Sequence, residues 1–62
     1  MKDRLGYNLF VDAHVAIAVI EKGRPKLVIG TVVKIIEART EVIVEHDNGY
    51  KTNRSPNSVV MV

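Results

Sequence analysis

The chain has no cysteine and no tryptophan, only three aromatic residues, and two prolines among its 62 residues. Without cysteine no disulfide can brace so short a chain. His14 and His46, beside scattered carboxylates, lack the spacing of a zinc site, so no metal staple is expected either. Tyr7, Phe10 and Tyr50 are too few to form the aromatic clusters that dock proline-rich peptides or cage an ammonium group. No charge-free stretch approaches the roughly 18 residues of a membrane span. After the charged start Met1-Lys2-Asp3-Arg4 the apolar residues are broken up by Gly6, Asn8, Asp12 and His14, with no small-residue cleavage site. The expectation is a soluble, cytoplasmic protein with no cofactor and no membrane partner.

Catalytic groupings are missing as well. An enzyme needs a nucleophile beside a base, or carboxylates held at separated pKa values, and the candidates Ser55, Ser58, Glu45 and Asp47 all sit next to turn signals. Asp47-Asn48-Gly49 is turn chemistry in its own right. The chain is therefore expected to be non-enzymatic.

What the chain does have is aliphatic mass. Hydrophobic residues make up 47% of it, mostly Val and Ile, and that density has to compensate for the small core of a chain that buries only about 60% of its unfolded surface. β-branched side chains lose rotamer freedom in a helix and pack well on a pleated sheet, so the composition argues for an all-β domain.

The order of segments predicts five strands. Met1 to Phe10 shows neither a helical nor a strand period, and a helix there would hold Gly6 at its centre at a cost of about 1 kcal/mol. It reads as an N-terminal arm, free to be loosely ordered, outside a barrel spanning 11–62. Its truncation is expected to be tolerated better than loss of Val59 to Val62. His14 to Ile20 is the first strand, with Val15, Ile17 and Val19 on one face and Ala16, Ala18 and Ile20 on the other. Glu21 to Lys26, with Gly23 and Pro25, reads as an exposed loop in which Gly23 has conformational latitude. Leu27 to Ile36 is a second apolar strand, with strong coiling expected near Gly30. Glu37 to Glu41 is a short turn and Val42 to His46 a third strand. Asn48-Gly49 signals a type I′ hairpin that pairs Tyr50 to Arg54 back onto it. Ser55 to Ser58, with Pro56 lacking a donor, reads as a single helical turn before a fifth strand, Val59 to Val62.

Gly30, Val32 and Ile35, then Val42 and Val44, then Val59 and Val62 follow the Gly-x-Val, Val-x-Val and closing-valine spacing of a known group. With the hairpin and the helical turn before the last strand, the chain resembles the SH3-like barrels, and more narrowly the KOW-type modules of transcription elongation factors and ribosomal proteins. The resemblance covers about half the chain. It implies a five-stranded SH3-like barrel and a nucleic-acid-associated setting. A plasmid-borne dihydrofolate reductase family also builds on such a fold, but its Val-Gln-Ile-Tyr stretch is absent here.

Nine Lys and Arg against seven Asp and Glu leave a net charge of +2, which permits a polyanionic partner without demanding one. Lys22, Arg24 and Lys26 in one loop, with Lys51 and Arg54 in the last hairpin, are the candidate phosphate contacts, and Tyr50 is the candidate for stacking on a base. The alternative is a protein-binding adaptor or a homo-oligomer. Strands apolar on both sides turn residues such as Ile20, Val28, Ile36, Ile43 and Val60 outward, where they form a surface to be covered by a protein partner or a second copy.

Overall fold

The computed structural model describes residues 1–62. Five antiparallel strands form one sheet: β1 His14–Glu21, β2 Arg24–Ile36, β3 Glu41–Glu45, β4 Lys51–Arg54 and β5 Val59–Met61, in the order β4-β3-β2-β1-β5. The only helical pieces are the 3-10 turns Glu37–Arg39 and Pro56–Ser58, and no helix is long and apolar enough to cross a membrane. Ser55 starts the second turn by accepting the Asn57 N–H at 3.2 Å, while Pro56 occupies a first-turn position where no donor is missed.

The core is wholly aliphatic at its centre. Val15, Ile17, Val32, Val42, Val44 and Val59 are completely enclosed, and each such side chain contributes about 1.5–3 kcal/mol relative to exposure. Strand alternation and pairing register put these six on one face, and a one-residue bulge adds Ile35 to it. The β2–β3 register slips between Val32 and Lys34, so that Val32 opposes Val44 and Ile35 opposes Val42. With strict alternation Val32 and Ile35 would lie on opposite faces. The extra residue, Val33, returns Ile35 to the core side.

Gly30 lies just before this bulge, at the point where β2 changes neighbour. Thr31 is opposite His14 of β1 on one side and Glu45 of β3 on the other. Of the residues that carried the KOW resemblance, Val32, Val42, Val44 and Val59 are in the core and Ile35 packs against it, whereas Val62 is 72% exposed.

Two connections differ from expectation. Glu21 to Lys26 is not a loop: β1 and β2 continue as a two-stranded ribbon to a two-residue turn at Lys22-Gly23, with Glu21 opposite Arg24. Lys22 at φ 53° and Gly23 at φ 76° both have positive φ, as a type I′ turn requires. At Asn48-Gly49 only Gly49 has positive φ, at 84°. His46 donates to the Tyr50 carbonyl at 2.7 Å, closing a three-residue loop in which the Asn48 side chain accepts the Tyr50 N–H at 2.9 Å. The hairpin is where the sequence put it, but the turn is one residue longer.

An added Cβ at Gly23 or Gly49 meets nothing within 4 Å, so the cost of substitution is conformational. Gly23→Val and Gly49→Val are accordingly expected to destabilise alike, each by about 1–2 kcal/mol in urea denaturation. A neutral result at Gly23 would contradict the two-residue turn.

The N-terminal segment is the larger correction: Met1 to Phe10 belongs to the fold. Leu9 is part of the core, Met1 packs against it, and Arg4 donates its N–H to Val59 of β5 at 3.0 Å. Asp3, only 4% exposed, holds the segment together. Its Oδ2 accepts the Met61 N–H at 2.9 Å, and its Oδ1 accepts those of Leu5 at 2.9 Å and Tyr7 at 2.8 Å. The Met61 bond most of all, opposed by desolvation and aided by the Tyr7, Leu5 and Gly6 amides, lowers the Asp3 pKa below its ordinary 3.8.

A depressed carboxyl pKa stabilises the fold above the unfolded-state value, and the stabilisation is lost as pH falls through the lower folded value. The melting temperature should therefore fall as pH drops below about 4. In Asp3→Asn it should start lower at neutral pH and lose much of that acid slope. An unchanged acid slope in the variant would contradict the role of Asp3.

Candidate functional site

The residues expected to contact phosphates are dispersed. Lys22, Arg24 and Lys26 lie at the tip of the β1–β2 ribbon, where Lys26 Nζ is 3.4 Å from Glu21 Oε2. Lys51 Nζ is 3.7 Å from Glu45 Oε2, next to the turn that carries Asp47. Both pairs are exposed, and such pairs contribute little to stability. Arg54 is half-buried and has a structural task. Its Nη1 donates to the Ala18 carbonyl at 3.1 Å, reaching from edge strand β4 to a stretch of β1 that lies beyond its pairing with β5. Tyr50 leans on His46, with ring centroids 5.7 Å apart and planes at 57°.

The aliphatic candidates divide differently. Val28, expected outward, lies opposite Ile17 and packs against the core. Ile36 and Ile43 are half-buried, opposite Glu41 and Lys34 respectively. Ile20 and Val60 do lie on the outer side of β1 and β5, and there they meet residues that strand alternation alone did not single out. Register places Ala16 opposite Ile29 and Val60, Ala18 opposite Leu27, and Ile20 opposite Pro25. Side chains at paired positions share a face, so these residues form one continuous aliphatic surface. Within it Ile20 is 75% exposed, Leu27 72% and Ile29 48%.

The surface is not flat. Ala16, Ala18 and Val60 floor a shallow depression walled by Leu27, Arg4, Asn57 and Ser58. The two alanines create the depth, because their neighbours across the ribbon are Ile29 and Leu27. Leu27 and Ile29 could have been recognised from sequence only with the register in hand. Once the ribbon runs to Lys22-Gly23, they are fixed opposite the small residues of β1.

Elsewhere the polar groups serve local structure. His14 Nδ1 is 3.4 Å from Thr31 Oγ1, His46 Nε2 is 3.0 Å from Thr52 Oγ1, and no three His, Asp or Glu side chains converge as metal ligands. No buried side-chain nitrogen or oxygen lacks a hydrogen-bond partner.

Fold and surface together define a small antiparallel all-β domain that presents one aliphatic face on a projecting two-stranded ribbon. The chain belongs to the family described as a domain of unknown function (DUF7205), whose model matches residues 1–62. No curated protein and no solved structure matches it.

Proposed function

We propose that this domain is a non-enzymatic protein-binding module of the SH3-like class and that it docks its partner on the outer face of the β1–β2 ribbon. The carrying observation is the exposure of Ile20, Leu27 and Ile29 on one face, continuous through register with Ala16, Ala18 and Val60. Exposed apolar surface that is contiguous, rather than scattered, is characteristic of interaction sites. Aliphatic side chains supply neither phosphate contacts nor stacking platforms, which favours a protein over a nucleic acid on this face.

Leu27→Asp tests the reading. Leu27 is exposed and its side chain is not in the core, so the variant should melt within a few degrees of the parent. It should no longer retain, from nuclease-treated extract, the protein that the immobilised parent retains. A charge placed in an apolar contact typically weakens binding by 2 kcal/mol or more, roughly thirtyfold. Equal retention by the two chains would exclude this face.

A second reading, phosphate binding at the ribbon tip, is favoured by Lys22 and Arg24, neither of which has an ion-pair partner. It predicts affinity for an oligonucleotide that falls steeply with salt. The slope should shrink by about two contacts in a Lys22→Glu, Arg24→Glu double variant. Nuclease-sensitive retention, unaffected by Leu27→Asp, would favour it.

A further inference from the structure

The depression on the ribbon's outer face points to the chemistry of the partner. Its floor, Ala16, Ala18 and Val60, is apolar, and its rim carries one charge, Arg4. Among the side-chain hydrogen bonds and ion pairs of the molecule none involves the Arg4 guanidinium. The backbone beneath it is nevertheless anchored, since the Arg4 N–H is bonded to the Val59 carbonyl and Asp3 accepts the Met61 N–H, so the side chain starts from a fixed point on the rim. No carboxylate lies on this face. Asp3 next to Arg4 is buried and saturated by backbone donors, and Glu21 is engaged with Lys26 at the ribbon tip.

The charge of the chain is thus unevenly spread. Arg4, Lys22, Arg24 and Lys26 flank or extend the ribbon with Glu21 as the one acid among them, while the rest of the chain holds five cations against six carboxylates.

We infer that the depression receives an acidic, apolar protein segment: an aliphatic side chain enters between Leu27 and Arg4 over the two alanines, and a neighbouring Asp or Glu side chain pairs with the Arg4 guanidinium. This rests on the protein-binding reading above and adds the chemistry of the bound segment. A planar guanidinium beside an apolar floor suits a carboxylate well, because its donors match the two oxygens and the adjacent burial excludes water. Asn57 and Ser58, on the same rim, offer further polar atoms to the backbone of an entering segment.

Charge complementarity also decides against a second copy of the chain as the occupant. A two-fold pairing brings the same patch from both partners together, so two Arg4 side chains and two basic tips would meet with only Glu21, already beside Lys26, to answer them from each copy.

The probes are three fluorescent, C-terminally amidated peptides: one alternating leucine and glutamate, one alternating leucine and lysine, and one alternating serine and glutamate. Fluorescence anisotropy should show the leucine–glutamate peptide binding at least tenfold tighter than either of the others, with affinity declining as salt rises. Arg4→Glu and Ala18→Leu should each weaken it at least tenfold. Ala18→Leu fills the depression without changing charge, at an exposed strand position where a larger aliphatic residue is compatible with the fold. Lys51→Glu, on the far strand, should have little effect.

Equal binding of the leucine–lysine peptide, or full affinity in both Arg4→Glu and Ala18→Leu, overturns the proposal. So does a stable dimer in light scattering. If the acidic peptide fails while a retained protein is still lost in Leu27→Asp, the acidic chemistry is wrong and the docking face stands. If both fail, the protein-binding reading falls as well.

Discussion

Deleting Met1 to Asn8 is expected to unfold the domain at room temperature. The deletion removes Met1, which packs against the core cluster, and takes away the Asp3 carboxylate that accepts the Met61 N–H of the closing strand. It also breaks the Arg4-to-Val59 and Leu9-to-Met1 backbone bonds, each contributing about 1 kcal/mol net. A core of this size rarely supplies more than about 3–5 kcal/mol in total. Loss of the segment that covers the β5 edge therefore approaches the whole margin, apart from the packing that Met1 provides. The free edge left behind would also invite intermolecular pairing. Circular dichroism should show no cooperative melt for the truncated chain, and its amide spectrum should collapse towards the random-coil range. A cooperative transition within a few degrees of the parent would mean that the segment is peripheral after all.

Gly30→Ala should have the next largest effect, for a reason unrelated to glycine's conformational freedom. The φ of Gly30 is one that any residue can adopt, but an added Cβ would collide with the Val44 side chain and come within 2.9 Å of the Glu45 carbonyl oxygen. Val44 is completely enclosed and the carbonyl is backbone of β3, so neither neighbour yields easily. Overpacking of this kind costs about 1–3 kcal/mol. At roughly 4–8 °C per kcal/mol for a domain this small, even the middle of that range is a large shift in melting temperature. Gly30→Val should be worse still. An alanine variant as stable as the parent would mean that β2 and β3 do not approach as closely as described.

Gly30 also shows what could be read from the sequence and what could not. A glycine inside an apolar strand indicates a close approach or a bend, and β2 does change neighbours there. The bulge itself falls at Val33, three residues on, where nothing in the residue types marks it, because a valine suits paired and unpaired strand positions equally. The five strands and the capped turn at Pro56–Ser58 were legible because β-branched runs, Asn-Gly and Ser-Pro are local signals. The ribbon turn was missed because Lys22 is a rare residue at positive φ, and the charged Lys22 to Lys26 run looked like a breaker.

The N-terminal segment was missed for a different reason. Its contribution to the fold depends on one carboxylate reaching Met61, 58 residues away in sequence, and no periodicity records such a bond. The only local trace is the Asp3 to Gly6 spacing of a side-chain-capped turn.

The same distinction applies to the candidate site. The basic residues were conspicuous as a group in sequence, yet folding ties Arg54 to the β1 backbone and sets Lys26 and Lys51 beside carboxylates. Leu27 and Ile29 looked like ordinary core residues until pairing with Ala18 and Ala16 fixed them on the opposite face from Val28.

The most direct test of the protein-binding reading is the amide spectrum of the isotope-labelled chain in a nuclease-treated extract. Line broadening or shifts should concentrate at Ala16 to Ile20, Leu27 to Ile29, Val60 and Arg4, with the β3–β4 hairpin unaffected. No perturbation at these residues, or perturbation confined to Lys22 to Lys26 or centred on Tyr50 to Arg54, would contradict the protein-binding reading.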